Sequence, residues 1–282
     1  MKRLIVNADD FGLHTEINKG IIKGYQEGFI TSTSLMVSAP AFAEAVALAK
    51  ANLQLGIGVH ITLVGGVKPV LPQEEIKSLL DAEGNFLPDY VAFAKRFYTG
   101  GVKRRELEKE VRAQFAKALD SGLEITHFDS HQHTHILPGV GDIILGIAQE
   151  YGLKKMRLPR EPYGFTGGFT AGVGRKIGRA GLTFCANLIK DEVKLAKMKF
   201  PHCFFGMLAG GNLNPELVGN ILRALPDGTS EIMTHPGLNT EILSQSFTWH
   251  YHWQDELAAY LDPANQSIIE EQGIKLISFA EL

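Results

Sequence analysis

A single α/β domain built as a (β/α) barrel of seven or eight parallel units is the fold class the sequence predicts. Three observations carry it. Short β-rich runs alternate with longer helical patterns, which is the pattern of parallel βα units. The 282 residues, 45% of them hydrophobic, suffice for one barrel with one large core. The polar residues with chemical potential cluster where strands should end, as expected where catalytic groups sit on the loops after the strands.

The elements follow in order. Leu4 to Val6 reads as a buried first strand, and Thr15 to Glu27 as a helix with Ile17, Ile21, Ile22 and Tyr25 at helical spacing. Thr33 to Val37 is the second strand candidate, and alanine-rich Phe42 to Ala51 the second helix. A third strand lies within Leu55 to Leu63. Residues 65–103, with prolines at 69, 72 and 88, form an insertion of loop and short helices. Arg104 to Leu119 is amphipathic and helical, and it leads into a strand at Ile125 to Phe128. Val140 to Tyr151 is helical and Lys155 to Leu158 strand-like. A glycine-rich loop over 160–174 precedes weak helices reaching about Lys197. Phe204-Phe205 marks a short strand. Pro215 starts a helix ending at Ala224, a position where its missing N–H costs nothing. Glu231 to Thr234 is a strand, Trp253 to Glu271 is helical, and Lys275 to Ile277 is the last strand. No low-complexity linker or internal repeat divides residues 1–282, which are expected to form one domain.

Composition excludes several classes. The net charge of −3 offers no basic excess for nucleic acid or an anionic membrane. Cys185 and Cys203 lack a CxxC spacing, so a disulfide framework is not expected and a reducing, cytoplasmic setting is. The apolar run after Met1-Lys2-Arg3 is interrupted at Asn7 and is too short for a signal peptide. No apolar stretch matches the roughly 18 residues of a membrane helix. Gly172-Val173-Gly174 with Gly178 is one residue too long for a dinucleotide loop and follows no clear strand. A GxSxG elbow is absent, which argues against an α/β-hydrolase.

Five strand ends converge on acids, imidazoles and an arginine. They are Asn7-Ala8-Asp9-Asp10-Phe11-Gly12, His60, Asp129-Ser130-His131-Gln132-His133-Thr134-His135, Arg157-Leu158-Pro159 and Thr234-His235-Pro236. Each has a plain structural reading. Asp9 and Asp10 suit an Asx turn capping the next helix, His60 a satisfied core histidine, and Arg157 a surface ion pair. His131, His133 and His135 alternate, so in an extended segment all three would face one side. Together, at one rim, they favour a metal site. Two neutral imidazoles and one carboxylate hold a divalent cation and leave positions open for water and substrate. A second carboxylate can take a proton from the bound water, and a further histidine can protonate a leaving group. His14, His202, His250 and His252 fall outside the rim and read as peripheral.

At these residues the sequence resembles the YdjC-like carbohydrate deacetylases. The Asn-Ala-Asp-Asp-Phe-Gly run at 7–12, Thr31-Ser32-Thr33, Gly58-Val59-His60, the stretch from Thr126 to His135 and Arg157-Leu158-Pro159 carry the resemblance, which resumes at Thr234-His235-Pro236-Gly237. It implies a distorted TIM-like barrel and removal of an acetyl group from an N-acetylated sugar. It further implies one divalent ion held by Asp10, His60 and His131, with Asp9 as general base. A more distant similarity to NodB-type polysaccharide deacetylases suggests that Arg157 orients the base and that His235 is the acid. That pattern's His-x-x-x-His pair makes His135, four residues after His131, the alternative ligand. His133 and His135 are otherwise expected to support the site or touch substrate, and Phe11 and Tyr163 to pack on the sugar ring. Arg160-Glu161-Pro162-Tyr163 and Phe204-Phe205-Gly206 are similar to the hopanoid-biosynthesis-associated branch, which points to N-acetylglucosaminyl lipids beside chitooligosaccharides. Two histidine ligands lean toward zinc, the resemblance toward magnesium. A homo-oligomer stays open. The rival readings are a metal-dependent phosphoesterase, disfavoured because the first strand ends in Asp-Asp rather than His-x-His, and a noncatalytic carbohydrate-binding protein.

Overall fold

In chain order the strands of the computed structural model, which describes residues 1–282, are β1 (Lys2–Phe11), β2 (Ser32–Leu35), β3 (Gly56–Ile61), β4 (Ile125–Ser130), β5 (Cys203–Phe205), β6 (Gly228–Thr234) and β7 (Lys275–Leu276). The helices are α1 (Thr15–Gln26), α2 (Phe42–Lys50), α3 (Tyr90–Tyr98), α4 (Arg104–Asp120), α5 (Val140–Glu150), α6 (Val173–Leu188), α7 (Lys190–Leu195), α8 (Pro215–Ala224), α9 (Thr240–Ser246), α10 (Trp253–Leu261) and α11 (Pro263–Glu271). The strands lie in the order β4-β3-β2-β1-β6-β5, and every pairing is parallel, as helical crossovers require.

The ring closes through single bridges. Phe128 of β4 pairs with Met156, Lys155 pairs with Lys199, and the chain from Lys199 runs on into β5. The strand-like reading of Lys155 to Leu158 therefore holds only as a stave with one bridge on each side. β7 pairs with Arg3 and Leu4 of β1, below the point where β2 joins at Asn7. The helices reading as weak up to Lys197 include the sixteen-residue α6. Asp262-Pro263 splits the last helical stretch: Pro263 opens α11 and Asp262 caps it. The 65–103 segment is pinned to α4, where buried Glu110 accepts from the Val70 and Leu71 amides at 2.9 and 3.1 Å.

Alternation along β1 sorts the interior. Leu4, Val6 and Ala8 join the large apolar core beneath the helices. Ile5 faces the other way and forms a small plug with Ile277 and Phe279. Asn7 and Asp9, two and four residues further on, share that inner side. Above the plug the barrel is filled by hydrogen-bonded polar groups, where layers of aliphatic side chains are usual. His127 is the transition: its ring stacks on Phe279 with centroids 3.8 Å apart, and burial pushes it down to about 3, so it is neutral.

Candidate active site

Two adjacent carboxylates reach the same interior because the strand breaks between them. Neighbours in a regular strand face opposite ways. Asp10 has φ 68, a left-handed conformation that Asp tolerates better than most residues, and the pairing with β2 slips between Ala8 and Phe11. Asp9 thus continues inward from Asn7, and Asp10 turns toward β3 and β4.

Asp10, His60 and His131 offer ligand atoms that all lie within 4.8 Å of one another. Asp10 Oδ1 is 3.0 Å from His131 Nδ1 and 3.4 Å from His60 Nε2. Burial works to raise the Asp10 carboxyl, but the charges and hydrogen bonds of His131 and His60 hold it well below the usual range. His60 Nδ1 donates to Asp129 Oδ1 at 2.7 Å, which leaves Nε2 facing Asp10. A carboxylate behind a histidine in this way fixes the tautomer of a metal ligand. Burial pulls His60 down, yet Asp129 and Asp10 raise it to about 10, a measure of how strongly the site favours positive charge. Asp10 Oδ2 and His131 Nε2 are buried without a hydrogen-bond partner. Such orphans call for an explanation, and a divalent cation with oxygen and nitrogen ligands supplies one. A second grouping, Asp9, His60 and Asp129, is as close together, but both its carboxylates are already engaged by Arg157.

Arg157 sits at the centre of the barrel, fully buried. Its Nη2 and Nη1 bond Asp9 Oδ1 and Oδ2 at 2.6 and 2.7 Å, Nη1 reaches Asp129 Oδ2 at 2.7 Å, and Nε donates to Glu231 Oε1 at 2.7 Å. Asn7 Nδ2 donates to Asp9 Oδ1 and to Ser34 Oγ, and Ser34 Oγ donates to Asp129 Oδ2. Burial pushes Glu231 up to about 7 against the pull of Arg157, whereas Arg157 and His60 outweigh burial at Asp129 and hold it far below the usual range. Arg157 is thus no surface ion pair. It ties one carboxylate from each of β1, β4 and β6.

The histidine run is not extended. Residues His131–Ile136 form a short 3₁₀ segment in which Gln132 and His133 have φ 51 and 58, so the three imidazoles diverge. His131 joins Asp10. His133 faces the cavity beside Phe204, with ring centroids 5.7 Å apart, and burial holds it well below its ordinary value. His135 turns away: Ser130 Oγ lies 2.6 Å from its Nδ1 and Arg157 O lies 3.1 Å from its Nε2, so both nitrogens are committed. Those contacts hold its ring apart from Asp10, His60 and His131, whose ligand atoms converge without it. It braces the backbone of Arg157 instead.

A cavity of about 370 Å³ opens over this cluster, lined among others by Asp9, His60, His131, His133 and His235. The His235 amide donates to Glu256, whose carboxylate also accepts from Thr234 Oγ1 at 2.7 Å and lies 3.8 Å from His235 Nδ1. The ends of β1, β3, β4, the 155–158 stave and β6 therefore meet at one rim. Phe11 and Tyr163 do not line the cavity: Phe11 is in the outer core and Tyr163 is exposed. The sequence reading left Asn7, Ser34, Asp129 and Glu231 without a role, as it did Trp249 and Tyr251, which line the cavity. Glu231, a charge inside an apolar strand, was the signal available.

Fold and rim together define a parallel α/β barrel with a buried acid–imidazole site suited to a divalent cation. The chain belongs to the YdjC-like protein family, whose model matches residues 3–271. It is 33% identical over 285 residues to a protein named carbohydrate deacetylase from Brevibacillus brevis, covering 99% of both chains. Another of that name from Clostridium beijerinckii is 32% identical, covering 99% of this chain and 100% of its own. A crystal structure from Enterococcus faecalis V583, bearing the name cellobiose-phosphate cleavage protein, superposes with a TM-score of 0.78 at 26% identity, covering 99% of this chain and 98% of that one. No helix is long and apolar enough to cross a membrane, and both cysteines are free.

Proposed function

We propose that this chain hydrolyses the acetamide of an N-acetylated sugar, releasing acetate and a free amine. The observation that carries the reading is the meeting of Asp10, His60 and His131 beside a cavity that Asp9 and His235 also line. The names of the full-length relatives support it.

Asp10, His60 and His131 are the residues suited to hold the cation, magnesium or zinc. When bound, it supplies Lewis acidity to a water and to the acyl oxygen. Asp9 takes the proton of the attacking water. A carboxylate has about four lone-pair sites, and three at Asp9 are used by Arg157 and Asn7, so one remains toward the cavity. Arg157 holds Asp9 in a fixed plane, which keeps the base oriented. As the C–O bond forms and the C–N bond breaks, His235 gives its proton to the departing nitrogen. Glu256 clamps the His235 backbone so that the ring stays at the rim.

The test is acetate release from diacetylchitobiose and from an N-acetylglucosaminyl lipid, before and after metal stripping and with magnesium or zinc restored. Metal-dependent acetate from either substrate is expected. Phosphate release from a sugar phosphate with no acetate from any substrate would overturn the reading in favour of a phosphoesterase.

A further inference from the structure

One wall of the cavity is aromatic and takes no part in that chemistry. Phe247, Trp249, Tyr251 and Trp253 alternate along the segment joining α9 to α10, and their rings follow one another at 4.8, 5.6 and 5.6 Å. The row is anchored at its base. Trp253 is fully buried, its carbonyl accepts from the Gly237 amide at 3.1 Å, and the His252 amide donates to Gly211 O at 2.8 Å. Trp249 and Tyr251 reach the cavity. There the Trp249 ring lies 5.5 Å from His131 and the Tyr251 ring 4.9 Å from His235. The pair spans the distance from the proposed cation ligands to the proposed acid.

We infer that Trp249, with Tyr251 beside it, is the stacking face for a pyranose ring. This rests on the reading that the cavity takes an N-acetylated sugar. A pyranose presents an apolar C–H face and a polar edge, so a flat π-surface can cover the one while polar groups meet the other. The half-buried indole is held by Phe247, Tyr251 and His131, so little further rotamer freedom is lost when a ring lies on it. A ring seated there places its acetamide between the acid–imidazole cluster and His235. The Trp249–Tyr251 pair fills the role that the sequence assigned to Phe11 and Tyr163.

The chain has two tryptophans, and Trp253 is sealed from solvent, so a sugar-dependent change in indole emission reports Trp249. Emission is followed while diacetylchitobiose is titrated into wild type and Trp249→Phe, and acetate release is measured for both and for Trp249→Ala. The expected results are a saturable emission change in wild type that vanishes in Trp249→Phe, a KM raised about 10- to 100-fold with kcat within a few-fold in Trp249→Ala, and a smaller rise in KM in Trp249→Phe, which keeps a flat ring. Wild-type KM in Trp249→Ala, or unchanged emission at sugar concentrations that saturate acetate release, overturns the inference and leaves the hydrolytic reading standing. An emission change without acetate from any preparation does the reverse: it upholds the stacking face and removes the hydrolysis.

Discussion

Replacing Arg157 with methionine asks whether the barrel interior is held together by charge. The guanidinium is fully buried and bonds Asp9, Asp129 and Glu231 at 2.6 to 2.7 Å. Methionine keeps an unbranched stem and leaves those carboxylates with His60, bonded to Asp129 at 2.7 Å, as the nearest cationic group. Breaking a buried ion pair from one side costs about 3–5 kcal/mol. With an unfolding entropy of about 2.1 cal/mol/K per residue, 282 residues give roughly 0.6 kcal/mol/K, so Tm should fall by about 5–8 °C. The sign of the pH dependence follows from Arg157 being a cause that lowers both Asp129 and Glu231. Without it their folded pKa values rise, the ionised forms are penalised, and the penalty grows as pH climbs through those values. Thermal unfolding at about pH 5.5 and about pH 8 should show a wider gap from wild type at the higher pH. Arg157→Lys should fall between, since an ammonium supplies the charge without the fork that spans three carboxylates. A Tm within about 1–2 °C of wild type at both pH values would refute the reasoning.

Two further perturbations probe the same interior. Glu231 is pushed up to about 7 by burial, above the ordinary 4.5, so the stability it contributes is full at low pH and is lost as pH rises through 7. Between about pH 6 and 8 that loss is ~1.4 kcal/mol, and Glu231→Gln, which keeps an acceptor for Arg157 Nε, should show a flatter stability profile. Parallel profiles for the two proteins would locate the titration elsewhere. At Gly58 an added Cβ would sit 2.4 Å from His127 Nε2, and that ring is stacked on Phe279 and cannot readily yield. Gly58→Ala should therefore cost about 1–3 kcal/mol in denaturant unfolding, and an unchanged midpoint would show a looser interior than the distances imply.

Much of the fold was readable because outward-facing residues obey simple periods. Leu4, Val6 and Ala8 fall at every second position of β1, and α1, α4 and α8 show apolar stripes. The rim residues were readable because strand ends are where such folds place chemistry. What escaped depends on backbone conformation and on contacts distant in sequence. Asp10 and the Gln132-His133 pair sit at positive φ, which no period reveals: a regular strand would turn Asp9 and Asp10 to opposite sides, and the three histidines were expected on one. Ser34 looks unremarkable until Asp129 arrives beside it, and the charge of Glu231 inside an apolar strand does not by itself name Arg157, its partner from another stave. The aromatic row from Phe247 runs up to Trp253, the first residue of α10, where an alternating pattern has no strand to belong to.

Bound metal and acetate release, measured on the same preparations of wild type, Asp9→Asn and Asp10→Asn, separate the two adjacent carboxylates most directly. Asp10 meets His60 and His131, whereas Asp9 is clamped by Arg157 and faces the cavity. Asp10→Asn should bind the ion weakly and recover part of its turnover at high metal, because an amide is a poorer ligand than a carboxylate. Asp9→Asn should retain the ion and lose about 10²–10⁴-fold in turnover, because an amide cannot take the proton of water. Loss of the ion in Asp9→Asn with ion and activity both retained in Asp10→Asn would contradict the assignment.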